Sequence, residues 1–376
     1  MRHVAKYRLP YSDEEIRWVQ DEIAKLMKSG WLTQGSYLTQ FETIFKQISG
    51  TRHCLGVSSG TAALEMLYWL YDAAEGSVVV PTNTFFASIA AALNIGAKVV
   101  LADVDPYTMS PTAAEIEARI RPDTKVVCLV HIAGIVTPEF DSIREVCASR
   151  GVRLIEDAAH AQGALHNGRP AGSLADGGAF SMHHSKVLTS GEGGVISFDD
   201  DALLEPLMRR RFHGLDYERN NYEVLLVGQN YKLPETSCIL GLVQLRRWRE
   251  IVESRRRTAR IYDEILDSSN AITVPFAGSR DDHGLYKYPL LLAESQDKVA
   301  FRERMLREFG VDLPPNVYDH PCHAQRPAGQ GGVVNRNEKF PGVETLRKRQ
   351  VCLPMYADIP PDDAAYVARS VLAALS

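Results

Sequence analysis

The stretch SVVVPTNTFFASIAAALNIGAKVVLADV, residues 77–104, decides the fold. It opens on a short apolar run, SVVVP (77–81), and turns through polar residues. FFASIAAALNIG (85–96) then spaces its apolar side chains as a helix does and stops at a glycine. KVVLADV (98–104) is a second β-branched run. Strand, helix and strand in so short a span imply parallel strands joined by a crossover helix. Runs that are apolar at every position, not at alternate ones, imply a sheet covered on both faces.

The same alternation extends in both directions. TAALEMLYWLYDA (61–73) reads as a helix upstream, as does DEEIRWVQDEIAKLMKSG (13–30) before it. Downstream come helix AAEIEARI (113–120), strand KVVCLVH (125–131), helix FDSIREVCASRG (140–151) and strand VRLIEDAA (152–159). GGAFSMH and GGVISF add two more strands. The pattern predicts an α/β fold with a doubly wound, mostly parallel sheet, whose ligands bind beyond the carboxyl ends of the strands.

From about residue 236 the rhythm changes. SCILGLVQLRRWREIVESRRRTARIYDEIL reads as one or two long helices, followed by strand KYPLLLAE (287–294) and helix DKVAFRERMLREFG (297–310). VCLPMY (351–356) is a short strand and DDAAYVARSVLAAL (362–375) a last helix. The expected division is a large domain over 1–245 and a smaller C-terminal α/β domain over 246–376. HAQRPAGQGGVVNRNEKFPG (323–342) reads as a mobile loop or one poised over a site.

Composition narrows the function. Of 376 residues, 45% are hydrophobic and 24% charged, the balance of an ordinary globular chain. The net charge of −5 and the shortness of the basic runs RRRF and RRWRE argue against nucleic acid. Six scattered cysteines without a CxxC pair suggest free thiols in a reducing compartment. No apolar run is long enough for a membrane span or a signal peptide, so a soluble, cytoplasmic protein is expected.

Four places carry chemistry. In VSSGTAALEML (57–67), Ser59, Gly60 and Thr61 sit where a helix begins, which suits either a simple N-cap or a phosphate. LIEDAAHAQGA (154–164) ends a strand with Glu156, Asp157 and His160, where a carboxylate caps a helix or faces a cationic heterocycle. In PTNTFFAS (81–88), Phe85 belongs to the core or lies flat on an aromatic ligand. SMHHSKVLTSGEGG (181–194) places Lys186 beside small residues and a glycine neck. A lysine so placed loses water, its pKa falls, and the neutral amine becomes a nucleophile. Phosphate cradle, ring-stacking aromatic, carboxylate and lysine, in that order on such a sheet, are together what pyridoxal 5′-phosphate (PLP) needs.

These blocks, with GWLTQG (30–35), RFHG (211–214), QNYKL (229–233) and CLPMY, fall in order along almost the whole chain. They resemble the DegT/StrS family of PLP-dependent sugar aminotransferases, which have the aspartate-aminotransferase (type I) fold. The resemblance implies that Lys186 is the Schiff-base lysine, Asp157 the partner of the pyridine nitrogen and His160 a neighbour of the phenolic oxygen. Phe85 would stack on the cofactor, while Ser59, Gly60, Thr61 and Ser181 would bind its phosphate. It also implies that Asn230 reaches the phosphate from a second subunit, hence a homodimer with shared sites, and that segment 1–35 partly covers the active site. His183, His184, Arg211, His320 and His323 are candidate substrate contacts, and the role of His131 stays open.

The implied activity transfers an amino group from glutamate or glutamine to a keto sugar. A nucleotide-linked keto-deoxysugar is the leading acceptor, from secondary-metabolite (antibiotic) or surface-glycan biosynthesis. SMHHSK in place of the common SFHPxK resembles a form found in aminotransferases for cyclitol ketones such as scyllo-inosose, which supply aminoglycosides, and makes these the alternative. Three lesser readings use the same residues: a PLP-dependent sugar dehydratase, against which the presence of Lys186 argues; a non-catalytic PLP-binding regulator; and a metal hydrolase built on His131, Asp157, His160, His183 and His184. Their spacing matches no compact metal motif, so no metal is expected.

Overall fold

A computed structural model describes residues 2–9, 11–216, 223–267, 269–275 and 280–375. Seven strands form the main sheet: β1 (His53–Val57), β2 (Ser77–Pro81), β3 (Lys98–Ala102), β4 (Thr124–Val130), β5 (Arg153–Asp157) and, past a short hairpin of β6 (Leu165–His166) and β7 (Arg169–Pro170), β8 (Gly178–Ser181) and β9 (Gly194–Phe198). Their spatial order is β1-β9-β8-β5-β4-β2-β3, and β9 alone runs against its neighbours. The sheet is therefore the mixed, mostly parallel one expected.

The apolar runs behave as two-faced strands must. In β2, Val78 and Val80 pack into one layer with Leu64, Leu67 and Ile89. Val79 points to the opposite layer, which holds Val127, Leu129 and Phe140. Helices α1 (Asp13–Ser29), α2 (Ser36–Ser49), α3 (Gly60–Leu70), α4 (Ala87–Asn94), α5 (Ala113–Arg119), α6 (Phe140–Ser149) and α7 (Leu204–Arg211) flank this sheet. The N-terminus of α2 is capped from a distance. The buried Glu235 carboxylate accepts hydrogen bonds from the backbone N–H groups of Gly35 (2.8 Å), Tyr37 (2.9 Å) and Leu38 (3.2 Å), where the helix dipole favours negative charge.

After α8 (Glu235–Arg246), the chain breaks helical geometry at Arg247 and continues as α9 (Trp248–Leu266), so the long helical stretch is two helices. A three-stranded antiparallel sheet follows, in the order β10 (Ile272–Thr273), β11 (Tyr288–Leu292) and β12 (Gln350–Leu353). It packs with α9, α10 (Lys298–Phe309) and α12 (Pro361–Leu375) into a third apolar cluster around Tyr262, Leu290 and Met305. Helix α11 (Pro341–Arg349) precedes β12.

The segment 323–342 differs from expectation, because it is laid against the edge strand β3. Val99 N–H donates to Gly332 O and Val334 N–H donates to Val99 O, both at 2.8 Å. The Asn335 amide bonds both backbone groups of Leu101, at 2.8 and 2.9 Å. An outermost strand presents unpaired N–H and C=O groups, and this segment satisfies them.

Candidate active site

The carboxyl ends of β1, β2, β5 and β8 open on a cavity of about 640 Å³. Ser59, Gly60, Thr61, Phe85, Asp157, His160, Ser181, His183, His184 and Lys186 all line it. The register explains their convergence: Val57 pairs with Gly194, Gly194 with Ser181, and Asp157 with Ala179, which puts these strand ends side by side.

Helix α3 starts here. Its N-cap Ser59 accepts a hydrogen bond from Ala62 N–H at 3.1 Å, and Ala63 N–H donates to Ser59 O. The backbone N–H groups of Gly60 and Thr61 are left, among the described residues, without a protein acceptor. The turn that Ser59 caps thus also leaves two amides free to meet an anion. The fit is close: a Cβ on Gly60 would lie 3.0 Å from Ser181 Cβ, and one on Gly194 would lie 2.3 Å from Ser59 O. This explains the last glycine of the GEGG neck, since β9 passes too near the start of α3 for any side chain.

Strand alternation separates the two acids of β5. Glu156 turns away from the cavity, fully buried, and accepts from His131 Nε2 (2.7 Å) and from the N–H groups of Gly172, Leu174 and Ala175. His131 is therefore a structural partner of Glu156. Asp157 turns into the cavity, where its Oδ2 accepts from Ser88 Oγ at 2.7 Å and its Oδ1 from Ala159 N–H at 3.2 Å.

Lys186 Nζ makes neither a hydrogen bond nor an ion pair among the described residues, and it stands 4.7 Å from the Tyr286 ring centre. Burial lowers its pKa from the usual 10.5 to about 8; the Asp157 charge works against this and Lys287 adds to it. His160 lies against Tyr286 (ring centres 4.0 Å apart, planes at 19°), with Tyr318 Oη 3.1 Å from its Nε2. Burial holds the His160 pKa well below its ordinary value, so the ring is neutral; the same effect keeps the Tyr318 hydroxyl protonated. The other His160 ring nitrogen, Nδ1, is buried and has no protein partner. The Phe85 ring, 64% exposed, tilts over the same space.

Three of the candidate substrate contacts do not reach the cavity. Arg211 is buried in an ion pair with Glu42 (2.8 Å) and donates to Gly56 O, because α7 packs that residue inward. His320 is exposed, outside the cavity lining. His323 is bound to Thr82 Oγ1 at 2.9 Å and lies near Glu344, held by the segment that pairs with β3. Asn230 is exposed, on the backbone bridge to Phe212, and does not line this cavity. Conversely, Ser88, Tyr286, Lys287 and Tyr318 line the cavity without having been foreseen. Ser88 ends the quoted PTNTFFAS block and so carried a signal; the others sit beside an apolar strand and in a Pro-rich connection that gave none. From the N-terminal segment, Lys6 and Tyr7 also line it, Tyr7 donating to His184 O.

An unpaired lysine amine, a braced carboxylate, an orphaned imidazole nitrogen, free amides at a helix start and an open aromatic face suit a phosphorylated pyridine aldehyde. On this sheet they define a PLP-dependent transaminase, whose cofactor is pyridoxal 5′-phosphate. The chain belongs to the DegT/DnrJ/EryC1/StrS aminotransferase family, whose model matches residues 13–372. It is 32% identical over 314 residues to GDP-perosamine synthase of Caulobacter vibrioides, covering 82% of this chain and 83% of the relative. It is also 32% identical over 368 residues to dTDP-3-amino-3,4,6-trideoxy-alpha-D-glucose transaminase of Micromonospora megalomicea subsp. nigra, covering 96% and 95%. The solved structure of the aminotransferase TlmJ from Streptoalloteichus hindustanus superposes with a TM-score of 0.88 at 28% identity, covering 100% and 99%. Among the described residues, no helix is long and apolar enough to cross a membrane, and no three His, Cys, Asp or Glu side chains gather as metal ligands.

Proposed function

We propose that the enzyme moves an amino group from glutamate or glutamine to a nucleotide-linked keto-deoxysugar. The observation that carries this reading is the meeting of Lys186 and Asp157 in one cavity with the free amides of Gly60 and Thr61. The choice of acceptor is supported by two relatives named for amination of GDP- and dTDP-linked sugars.

Bound PLP supplies an electron sink that lets an amino acid give up its α-proton and its nitrogen. The chain supplies the rest. The amides of Gly60 and Thr61, with the Ser59 and Ser181 hydroxyls, would hold the phosphate at the positive end of α3. Asp157, fixed by Ser88 and Ala159, would hold a proton on the pyridine nitrogen, and His160 Nδ1–H would donate to the ring's oxygen substituent. Phe85 would cover one ring face. Lys186 Nζ, with a pKa of about 8, can both take and return a proton near neutral pH. His183 and His184 border the cavity and would meet the acceptor.

The active unit in this reading is a homodimer. The exposed apolar side chains Trp31, Leu32, Val224, Leu225 and Val227 favour a covered face, and Asn230 would then contact the phosphate of the partner's site. The main chain divides functionally into 1–245, which carries the cofactor, and 246–376, which closes the cavity.

The test is to load the enzyme with pyridoxamine phosphate and add a panel of keto-nucleotide sugars and scyllo-inosose. Return of the visible cofactor band with a keto-nucleotide sugar supports the acceptor assigned. A response to scyllo-inosose alone would replace it with the cyclitol reading.

A further inference from the structure

Among the described residues that line the cavity, Lys287 is the lysine with neither a carboxylate partner nor a place in the transamination chemistry above. Three lysines line the space. Lys186 is the reactive amine, and Lys6 is paired with Asp312 at 3.2 Å. Lys287 lies just ahead of β11, and its Nζ donates to the carbonyl oxygens of Pro315 (2.5 Å) and Asn316 (2.8 Å). An ammonium has three donors, so two carbonyls fix its direction and leave one N–H free. Among the described residues no carboxylate is within ion-pairing distance of it. Burial depresses its pKa and Arg302 adds to this, while Cys352 and the more distant Asp319 charge work against it.

The Tyr286 ring ties this ammonium to the reaction centre. Its centre is 4.7 Å from Lys186 Nζ and 5.6 Å from Lys287 Nζ, and it stacks on His160. The Lys287 charge is felt at both Lys186 and His160, lowering the pKa of each. An amino donor whose nitrogen is presented at Lys186 carries a carboxylate on the same carbon, and that anion must be neutralised within a few ångströms.

We infer that Lys287 Nζ binds the α-carboxylate of the amino donor, supplying the third hydrogen bond and the counter-charge. This rests on the transaminase reading with an amino-acid donor. Both carbonyls belong to the 314–318 connection, so the subsite is built by the smaller sheet and its loop, opposite the strand ends that hold the cofactor. Donor recognition and cofactor binding thereby come from different parts of the chain.

The experiment titrates the full-length holoenzyme by calorimetry with α-methyl-L-glutamate, which has no α-proton to lose, and with its α-carboxamide. The wild type is expected to bind the acid more tightly than the amide. Lys287→Met should weaken the acid roughly 10- to 100-fold, the range of a hydrogen bond to a charged group, and leave the amide unchanged. Lys287→Arg should keep most of the preference. Equal weakening of both ligands, an unaltered affinity for the acid, or a wild type that ignores the α-carboxylate would each overturn the assignment. The donor reading is judged separately, by whether L-glutamate or L-glutamine bleaches the visible cofactor band of the wild type. If neither does while the methyl acid binds through Lys287, only that reading fails.

Discussion

Ser88 Oγ donates a 2.7 Å hydrogen bond to Asp157 Oδ2, joining the first turn of α4 to the end of β5. The carboxylate that would face the cofactor's ring nitrogen is thus aimed by a helix that starts six residues beyond a different strand. Ser88→Ala removes one of two hydrogen bonds to that group, and such bonds to charged groups are worth about 1.5–3 kcal/mol. The expected result is a fall in kcat/KM of roughly 10- to 100-fold with the cofactor still bound. Asp157→Asn should cost more than Ser88→Ala, since it removes the charge as well as its orientation. Equal or smaller loss would show the carboxylate does not act on the ring.

For Lys186, replacement by Ala or Arg should abolish both the visible band and turnover while circular dichroism stays that of the wild type. Persistence of wild-type turnover in either variant would refute the role assigned.

The depressed pKa of Lys186 sets a pH dependence in the apoenzyme. Only the neutral amine attacks an aldehyde, so cofactor capture should be slow below about pH 8, rise through it, and flatten above. Lys287→Met removes a neighbouring positive charge that favours the neutral form, so the midpoint should move upward. Stopped-flow absorbance across the pH range measures both.

Gly194→Ala places a methyl 2.3 Å from Ser59 O and 2.7 Å from Gly60 N. Backbone must shift, and the turn that shifts is the one proposed for phosphate. The expected phenotype is weaker PLP affinity, measured by equilibrium dialysis, together with a lower Tm.

Asn335→Ala leaves the N–H and C=O of Leu101 unpaired, at about 1–3 kcal/mol per buried unsatisfied group. Tm should drop by several degrees with kcat/KM retained, because the segment lies along β3 and away from the cavity. A large activity loss at unchanged Tm would mean the segment serves the site after all.

The contrast between residues 77–104 and 323–342 shows what the sequence discloses. A strand buried on both faces has to be apolar throughout, and that demand is written in Val78, Val79 and Val80 themselves. The edge-pairing segment uses backbone groups and one asparagine, so its composition is that of any loop. Strand β1, HCLGV, is too short and mixed to signal a strand, and α11 begins within the loop-like composition of 323–342.

The site divides the same way. Lys186, Asp157, His160 and the Ser59–Thr61 turn lie at strand ends in distinctive blocks. Arg211 looked available because three arginines in a row suggest a surface, but the α7 packing turns it onto Glu42. Tyr286, Lys287 and Tyr318 reach the cavity only by tertiary folding, from chain about a hundred residues past Lys186 or farther.

The imidazole of His160 lies between two tyrosines that enter from the far side of the cavity, Tyr286 against its face and Tyr318 on its nitrogen. A graft of residues 283–320 from a cousin enzyme, made to import a new substrate preference, would replace those two rings as well. Chimeras cut at that boundary inherit the donor's proton arrangement at His160 along with its specificity. Swaps that respect the native pairing of this histidine with its tyrosines are the ones that keep the chemistry intact.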